Sequence, residues 1–312
     1  MRGVSKKKIE AARIAKEELK KRLEGHPDVL GMGIGYKERE GRIINRCCIR
    51  VHVRKKFFAK LLPIERLLPK EINGIPIDVT EGDYNIQASG DPTKYSRTLK
   101  AGIQIANKTN YPKIGTLGCW ARDELTDDLY ILSNWHVLYG RTDASDDEPV
   151  VQPRRFGNRN VIGYTIKGII NNKVDCALAR HSSNRGISES ILDIPFKITG
   201  YKRATLGLDV IKSGVNGIAR GVIDAIDFDI TLQSPIGEIK FEDQIHVAPR
   251  RDGDYTLNVD EGDSGAVWIS EEDNKIIGLH TAGIPHRKAI SNHFIEVITA
   301  FESEGIYLKI NH

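Results

Sequence analysis

Residues 260–269 read Asp260-Glu261-Gly262-Asp263-Ser264-Gly265-Ala266-Val267-Trp268-Ile269. A serine set between Asp263 and Gly265, with a second glycine at 262, marks a turn of small residues. Such a turn lets the backbone N–H groups of Gly262 and Ser264 converge on one point. The apolar run that follows reads as a strand. A free serine hydroxyl is a weak nucleophile. It becomes a competent one beside an imidazole base that a buried carboxylate orients. Two stretches upstream supply those groups. LSNWHVL (132–138) sets His136 just after an apolar strand, and NKVDCALAR (172–180) sets Asp175 beside Val174 and ahead of Ala177-Leu178.

The order His136, Asp175, Ser264, with spacings of 39 and 89 residues, resembles that of the chymotrypsin/trypsin-like serine peptidases. An α/β-hydrolase elbow needs glycine where Ala266 stands, and a subtilisin order would put the aspartate before the histidine. The resemblance covers roughly residues 97–312 and implies a mostly β, double-barrel fold. It also implies roles: Ser264 as nucleophile, His136 as general base and then acid, Asp175 as orienter, and the N–H groups of Gly262 and Ser264 as the oxyanion hole. GTLGCW (115–120), the Gln152-Pro153 pair, KSGVNGIARGVI (212–223) and GLHTAG (278–283) resemble a narrower group. These are non-secreted bacterial trypsin-like peptidases related to the plant narrow-leaf protein. Members of that group tend to carry an N-terminal segment like HPDVLGMGIGYKEREGR (26–42) and LPKEINGIPIDV (68–79).

The resemblance also implies a substrate pocket at Asn258, His280, Thr281 and Gly283. A pocket for basic side chains would want aspartate where Asn258 stands, so strict Arg/Lys preference is not expected. His280 matches a histidine that contacts an acidic substrate side chain in glutamyl endopeptidases; the competing reading is a structural histidine under the pocket. Thr281 is expected to hydrogen-bond to Asp175, and Gly283 to leave the pocket mouth open and pair with substrate as a strand. Departures from the family pattern have consequences. Val137 stands where secreted relatives carry a bridged cysteine, so Cys119 is expected to stay a thiol. Cys176, beside Asp175, reads as packing. No cleavable activation site precedes the barrel, so Asp263 is expected to be held by local hydrogen bonds.

Composition narrows the function classes. The 312 residues suffice for about two domains, and 40% hydrophobic with 28% charged residues is a globular balance. No stretch approaches the roughly 18 consecutive apolar residues of a spanning helix, so no membrane role is expected. The first 23 residues are charged throughout and lack an apolar core, which argues against a signal peptide and for a cytoplasmic protein. Cys47, Cys48, Cys119 and Cys176 have neither zinc nor disulfide-framework spacing, so free thiols, no metal and no cofactor are expected. His286 and His293 read as surface residues.

Charge is uneven: residues 1–100 hold 23 basic and 13 acidic residues, and the remainder 23 basic and 29 acidic. This supports a division into a small basic α+β accessory or regulatory domain (1–95) and a peptidase domain (96–312), with the polar segment 82–98 between them. In the first, residues 5–24 read as a helix with Ile9, Ile14 and Leu19 near one face. Glu40-Gly41-Arg42 reads as a turn, 63–69 as a short helix and 75–80 as a strand. Gly31, Gly33 and Gly35 lack dinucleotide-site spacing and read as a strand packed closely by its neighbours. Alternation in 47–53 predicts Ile49, Val51 and Val53 inward, and Arg50, His52 and Arg54 on an exposed basic face. In the second part, short runs such as VIDAI, FDITL and AVWIS predict many strands, and 291–304 a terminal helix.

The function expected is a serine endopeptidase acting on protein or peptide substrates. The rival is a partner-gated module on a protease scaffold, inactive alone, in a stress or defence pathway. A regulatory protein partner would act through the N-terminal domain. Nucleic acid is not expected, because no basic motif is interleaved with aromatics.

Overall fold

The computed structural model describes residues 4–39, 42–54, 56, 66–82, 85–86, 95–110, 113–154, 160–234, 236–250 and 256–310. The N-terminal part holds α1 (Lys6–Arg22), β1 (Val29–Arg39), β2 (Arg42–Val53), β3 (Glu71–Ile72), β4 (Ile75–Glu81) and β5 (Asn85–Ile86). Then follow β6 (Thr98–Ala101), β7 (Gln104–Asn107), β8 (Gly115–Thr116), β9 (Cys119–Asp123) and β10 (Leu129–Ser133). Next come α2 (Trp135–Leu138), β11 (Pro149–Val151), β12 (Val161–Ile170), β13 (Asp175–His181) and β14 (Gly186–Ile191). The last third holds β15 (Asp209–Gly214), β16 (Gly217–Ser234), β17 (Gly237–Pro249), β18 (Val267–Ser270) and β19 (Ile276–Ile284). It ends with β20 (Lys288–His293), α3 (Phe294–Ser303) and β21 (Leu308–Ile310).

Two sheets dominate. One runs β21-β9-β10-β13-β12-β11-β7-β8. The other runs β15-β18-β19-β20-β17-β16 and closes on itself through β15–β16 pairing, a six-stranded barrel without free edges around that circuit. The terminal helix is α3, and Phe294, Val297, Ile298 and Phe301 bury its apolar stripe in the core of the first sheet. VIDAI and FDITL, read as two strands, are one long strand, β16. It stays continuous because Asp227 adopts φ 50° at an irregularity in pairing rather than ending the ladder.

β16 also explains where the N-terminal part sits. Its first half pairs with β15, from Gly217 opposite Gly214 to Val222 opposite Asp209. The same edge then runs on and pairs with β1, Ala225 opposite Gly35 and Ile230 opposite Gly31. The closely packed strand expected from Gly31, Gly33 and Gly35 is this seam. A Cβ on Gly31 would lie 2.1 Å from the Asp229 carbonyl oxygen, and one on Gly33 would lie 2.5 Å from the Phe228 ring. The sheet continues β1-β2-β4-β3, so the strand order crosses the 95/96 boundary without a break. One apolar core also spans both parts: Ala12, Ala15, Leu19, Ile34, Ile49 and Val51 pack in the same cluster as Ile223, Val247 and Trp268.

Three expectations for this region are corrected. The buried stripe of α1 is Ala12, Ala15, Lys16 and Leu19, while Ile14 is exposed, because the i, i+3, i+4, i+7 spacing of those four sets the face turned to the sheet and position 14 lies off it. Arg50 and His52 do not form an exposed face. Both are fully buried, because the side of β2 away from α1 packs against barrel residues Asp224, His246 and Phe228. Arg50 Nη1 donates to Asp224, and Arg50 Nη2 to the Tyr36 carbonyl at 2.9 Å. Lys288 Nζ lies 3.3 Å from Asp224, and His246 Nδ1 bonds the other Asp224 oxygen. His293 is likewise buried rather than on the surface, against Asp243 at 3.7 Å, whereas His286 is exposed. Strand 75–80 appears as β4. Residues 40 and 41 of the expected turn and 63–65 of the expected helix at 63–69 lie outside the described residues; Arg66 has 3-10 geometry and 67–69 are not helical. The four cysteines are free and buried, and no helix among the described residues is long and apolar enough to cross a membrane.

Candidate active site

The site lies where the two sheets meet. α2 follows β10 directly, and its single turn places His136 against the start of β13, where Asp175 begins the strand. Three bonds fix the pair. His136 Nδ1 lies 2.5 Å from Asp175 Oδ2, the His136 backbone N–H donates to Asp175 Oδ1 at 3.1 Å, and Asn134 Nδ2 donates to the Asp175 carbonyl at 2.6 Å. A carboxylate only accepts, so the His136 proton sits on Nδ1 and the Nε2 lone pair is left as the base. Nε2 has no hydrogen-bond partner among the described residues.

Ser264 comes from the other sheet, on the turn before β18. Gly262 and Gly265 adopt φ +95° and +93°, a region that side chains resist, which is why this turn needs both glycines. A Cβ on Gly265 would meet Ser133 Oγ at 2.1 Å. The first sheet holds the turn from below through Thr116: its N–H donates to the Ser264 carbonyl and its hydroxyl to the Gly262 carbonyl, both at 2.8 Å. Gly115 lies between the two halves of the site. A Cβ there would stand 2.4 Å from Val137 and 2.8 Å from the Ser264 carbonyl oxygen. Ser264 Oγ donates to the Thr281 carbonyl at 3.3 Å. His136, Asp175 and Ser264 are all fully buried.

Asp263 shows how the turn is held. Its Oδ2 accepts from the Asp260 N–H at 3.1 Å, a local hydrogen bond as expected, and its Oδ1 from the Asn216 N–H at 3.2 Å, on the distant turn between β15 and β16. Lys212, on β15, adds an ion pair at 2.7 Å, with both side chains fully buried. Burial pushes the Lys212 pKa down, against the pull of Asp263. Thr116 and Lys212 are site residues that the sequence reading missed. Both belong to stretches quoted for their resemblance, and nothing in a lone Thr or Lys shows which distant turn it reaches.

The expected pocket residues divide. Asn258 is exposed, but its amide donates to the carbonyls of Asn216 at 2.6 Å and Ile218 at 3.1 Å, bracing the β15–β16 turn. His280 is fully buried beside Trp268, whose Nε1 donates to His280 Nδ1 at 3.4 Å. Burial, with Lys212 and His136 nearby, lowers its pKa well below the usual value, so the imidazole stays neutral. This fits the structural reading of His280 and not a charged contact to an acidic side chain. The Thr281 hydroxyl does not reach the Asp175 carboxylate. It donates to Asn292 Oδ1 at 3.1 Å, which also accepts the Asp175 backbone N–H at 2.9 Å, so Asn292 bridges the two. Gly283 lies on β19 two residues beyond Thr281. Among the described residues no group of three or more His, Cys, Asp or Glu is placed to hold a metal ion.

No protein-family profile matches the chain, and a search of curated proteins returns no match. Solved structures do. The Nocardiopsis protease aligns with a TM-score of 0.51 at 16% identity, covering 69% of this chain and all of that one. Thermobifida fusca protease A aligns with a TM-score of 0.50 at 15% identity, covering 69% of this chain and all of that one. At these identities the likeness establishes the fold: a mostly β, chymotrypsin-like double barrel with one C-terminal helix.

Proposed function

We propose that the chain is a serine endopeptidase that cleaves protein or peptide substrates through an acyl-enzyme intermediate. The observation that carries the reading is the Asp175–His136 pair, with His136 Nε2 open, beside a nucleophile turn pinned from the opposite sheet. Ser264 Oγ turns from the Thr281 carbonyl to His136 Nε2 and attacks the scissile carbonyl as its proton passes to Nε2. Asp175 stabilises the imidazolium formed. The N–H groups of Gly262 and Ser264 receive the oxyanion, a role worth about 3 kcal/mol per donor. The imidazolium then protonates the leaving amine, and water repeats the sequence on the acyl-enzyme. No step needs a cofactor.

Asn258, Thr281 and Gly283 we place around the bound substrate, with His280 supporting the pocket from beneath. Residues 1–95 we assign as an accessory, regulatory part; the narrow-leaf-related group that the motifs resemble carries a similar N-terminal segment. Four buried, unbridged thiols fit a reducing compartment and hence the cytoplasm.

The test is fluorophosphonate labelling of the full chain. Labelling of the wild type and not of Ser264→Ala is expected, together with hydrolysis of a peptide library. Equal labelling of both proteins would remove Ser264 from the mechanism.

A further inference from the structure

One edge of β19 carries three kinds of neighbour in succession. Leu279 and Gly278 pair with Val267 and Trp268 of β18. The His280 N–H donates to the Ala266 carbonyl at 2.8 Å, and its own carbonyl accepts the Gly265 N–H at 2.9 Å. Next along the edge, the Thr281 carbonyl accepts from Ser264 Oγ. Past the nucleophile the edge is again filled, by β5 of the chain's own N-terminal part: Ile86 lies opposite Ala282 and Asn85 opposite Gly283 in antiparallel register.

Direction matters here. Antiparallel to β19, the chain passes from Asn85 to Ile86 as its partner passes from Gly283 back to Ala282. It therefore runs toward the Thr281 carbonyl and Ser264. An extended peptide whose carbonyl is to be attacked by Ser264 must approach along this edge in the same sense, using the same backbone groups. The approach is also held in place. β4 is fixed in the continuous sheet by parallel pairing with β2 as far as Glu81 opposite Val53, and the Gly82 N–H donates to the Val53 carbonyl at 3.1 Å. Gly82 then passes so close to β19 that a Cβ on it would stand 2.3 Å from Ile284 Cδ1. A tethered strand on such an edge acts at an effective concentration of the order of millimolar.

Building on the endopeptidase reading, we propose that the segment at Asn85–Ile86 is an intramolecular occupant of the substrate-binding edge of β19, competing with peptide substrates for Ala282 and Gly283. The N-terminal part is thus a tethered inhibitor, and displacing this strand is the activating event.

The full chain carrying Asn85→Pro and Ile86→Pro tests this: successive N–H groups of a strand point to opposite edges, so the two prolines together remove whichever N–H faces β19. In a Ser264→Ala background, hydrogen exchange is expected to quicken on adding the two prolines at whichever of the Ala282 and Gly283 amides faces β5, the other being held by β20. With Ser264 intact, hydrolysis of a peptide extending four residues on the acyl side is expected to rise about tenfold or more. A single-residue ester, which does not use this edge, should change by less than about twofold. Unchanged exchange would overturn the occupancy. Equal rises, or none, on the two substrates would overturn the competition while leaving fluorophosphonate labelling, and so the endopeptidase reading, in place. No labelling of either protein would instead overturn the endopeptidase reading and the competition with it.

Discussion

Lys212 Nζ stands 2.7 Å from Asp263 Oδ2, with both side chains fully buried, and Asp263 directly precedes Ser264, the nucleophile proposed above. The ion pair ties β15 to the turn and fixes the backbone that would receive an oxyanion. Lys212→Met leaves Asp263 buried without its countercharge, a change that typically costs about 3–5 kcal/mol. Urea denaturation should show that loss, and fluorophosphonate labelling should slow at temperatures where the fold persists. Adding Asp263→Asn should recover much of the stability and not the labelling rate. Recovery of both would make the pair purely structural.

Arg50 and Asp224 form the corresponding buried pair between β2 and β16. Burial alone would raise the Asp224 pKa; the His246 ring bonded to it and the charges of Lys288 and Arg50 carry it well below the usual carboxylate range. Arg50→Met removes one of those charges and the Nη2 donor to the Tyr36 carbonyl. A stability loss of about 3 kcal/mol or more is expected by urea denaturation. Because one core spans both parts, the transition should remain single. Two separate transitions in the wild type would show that the parts unfold independently.

His280 decides a question of specificity. Its imidazole is buried and neutral, so it offers no positive charge to a substrate carboxylate. Peptides with glutamate before the scissile bond should be cleaved no faster than those with glutamine. A preference for glutamate of tenfold, about 1.4 kcal/mol, would require a charged group in the pocket that His280 does not supply.

Glu148 supports the His136 segment from behind. Asn107 Nδ2 donates both to Glu148 at 2.6 Å and to the Leu138 carbonyl at the end of α2 at 2.5 Å, and Arg141 pairs with the same carboxylate. Burial opposes ionisation of Glu148. Hydrogen bonds from Arg141, Ser145, Thr109 and Asn107 outweigh it and take the pKa from 4.5 to about 2. A folded pKa below the unfolded one contributes stability that is complete above the unfolded value and lost as pH falls through the folded one. The melting temperature should therefore drop between about pH 4.5 and pH 2, and Glu148→Gln should melt lower at pH 7 with a shallower acid slope. An unchanged slope would assign the acid loss to other carboxylates.

The sequence by itself determined the fold class and marked the candidate site residues. GDSG, SNWH and VDCAL are local signals: a turn that requires glycines at 262 and 265, a histidine one turn past a strand end, an aspartate opening the next strand. Each is dictated by neighbours a few residues away, so each is legible in a linear reading. The glycines of β1 likewise announced a close approach without saying to what. Tertiary structure alone decided the partners. Lys212 meets Asp263, Thr116 holds the turn from the other sheet, Asn292 stands between Thr281 and Asp175, and Arg50, alternating as if exposed, is covered by Asp224. Alternation shows which side chains share a face of a strand; whether that face meets water or another sheet depends on strand order. Here β16 is long enough to close the barrel with its first half and to seat β1 with its second, and that one register places the N-terminal part, its buried charges and the strand lying at Gly283.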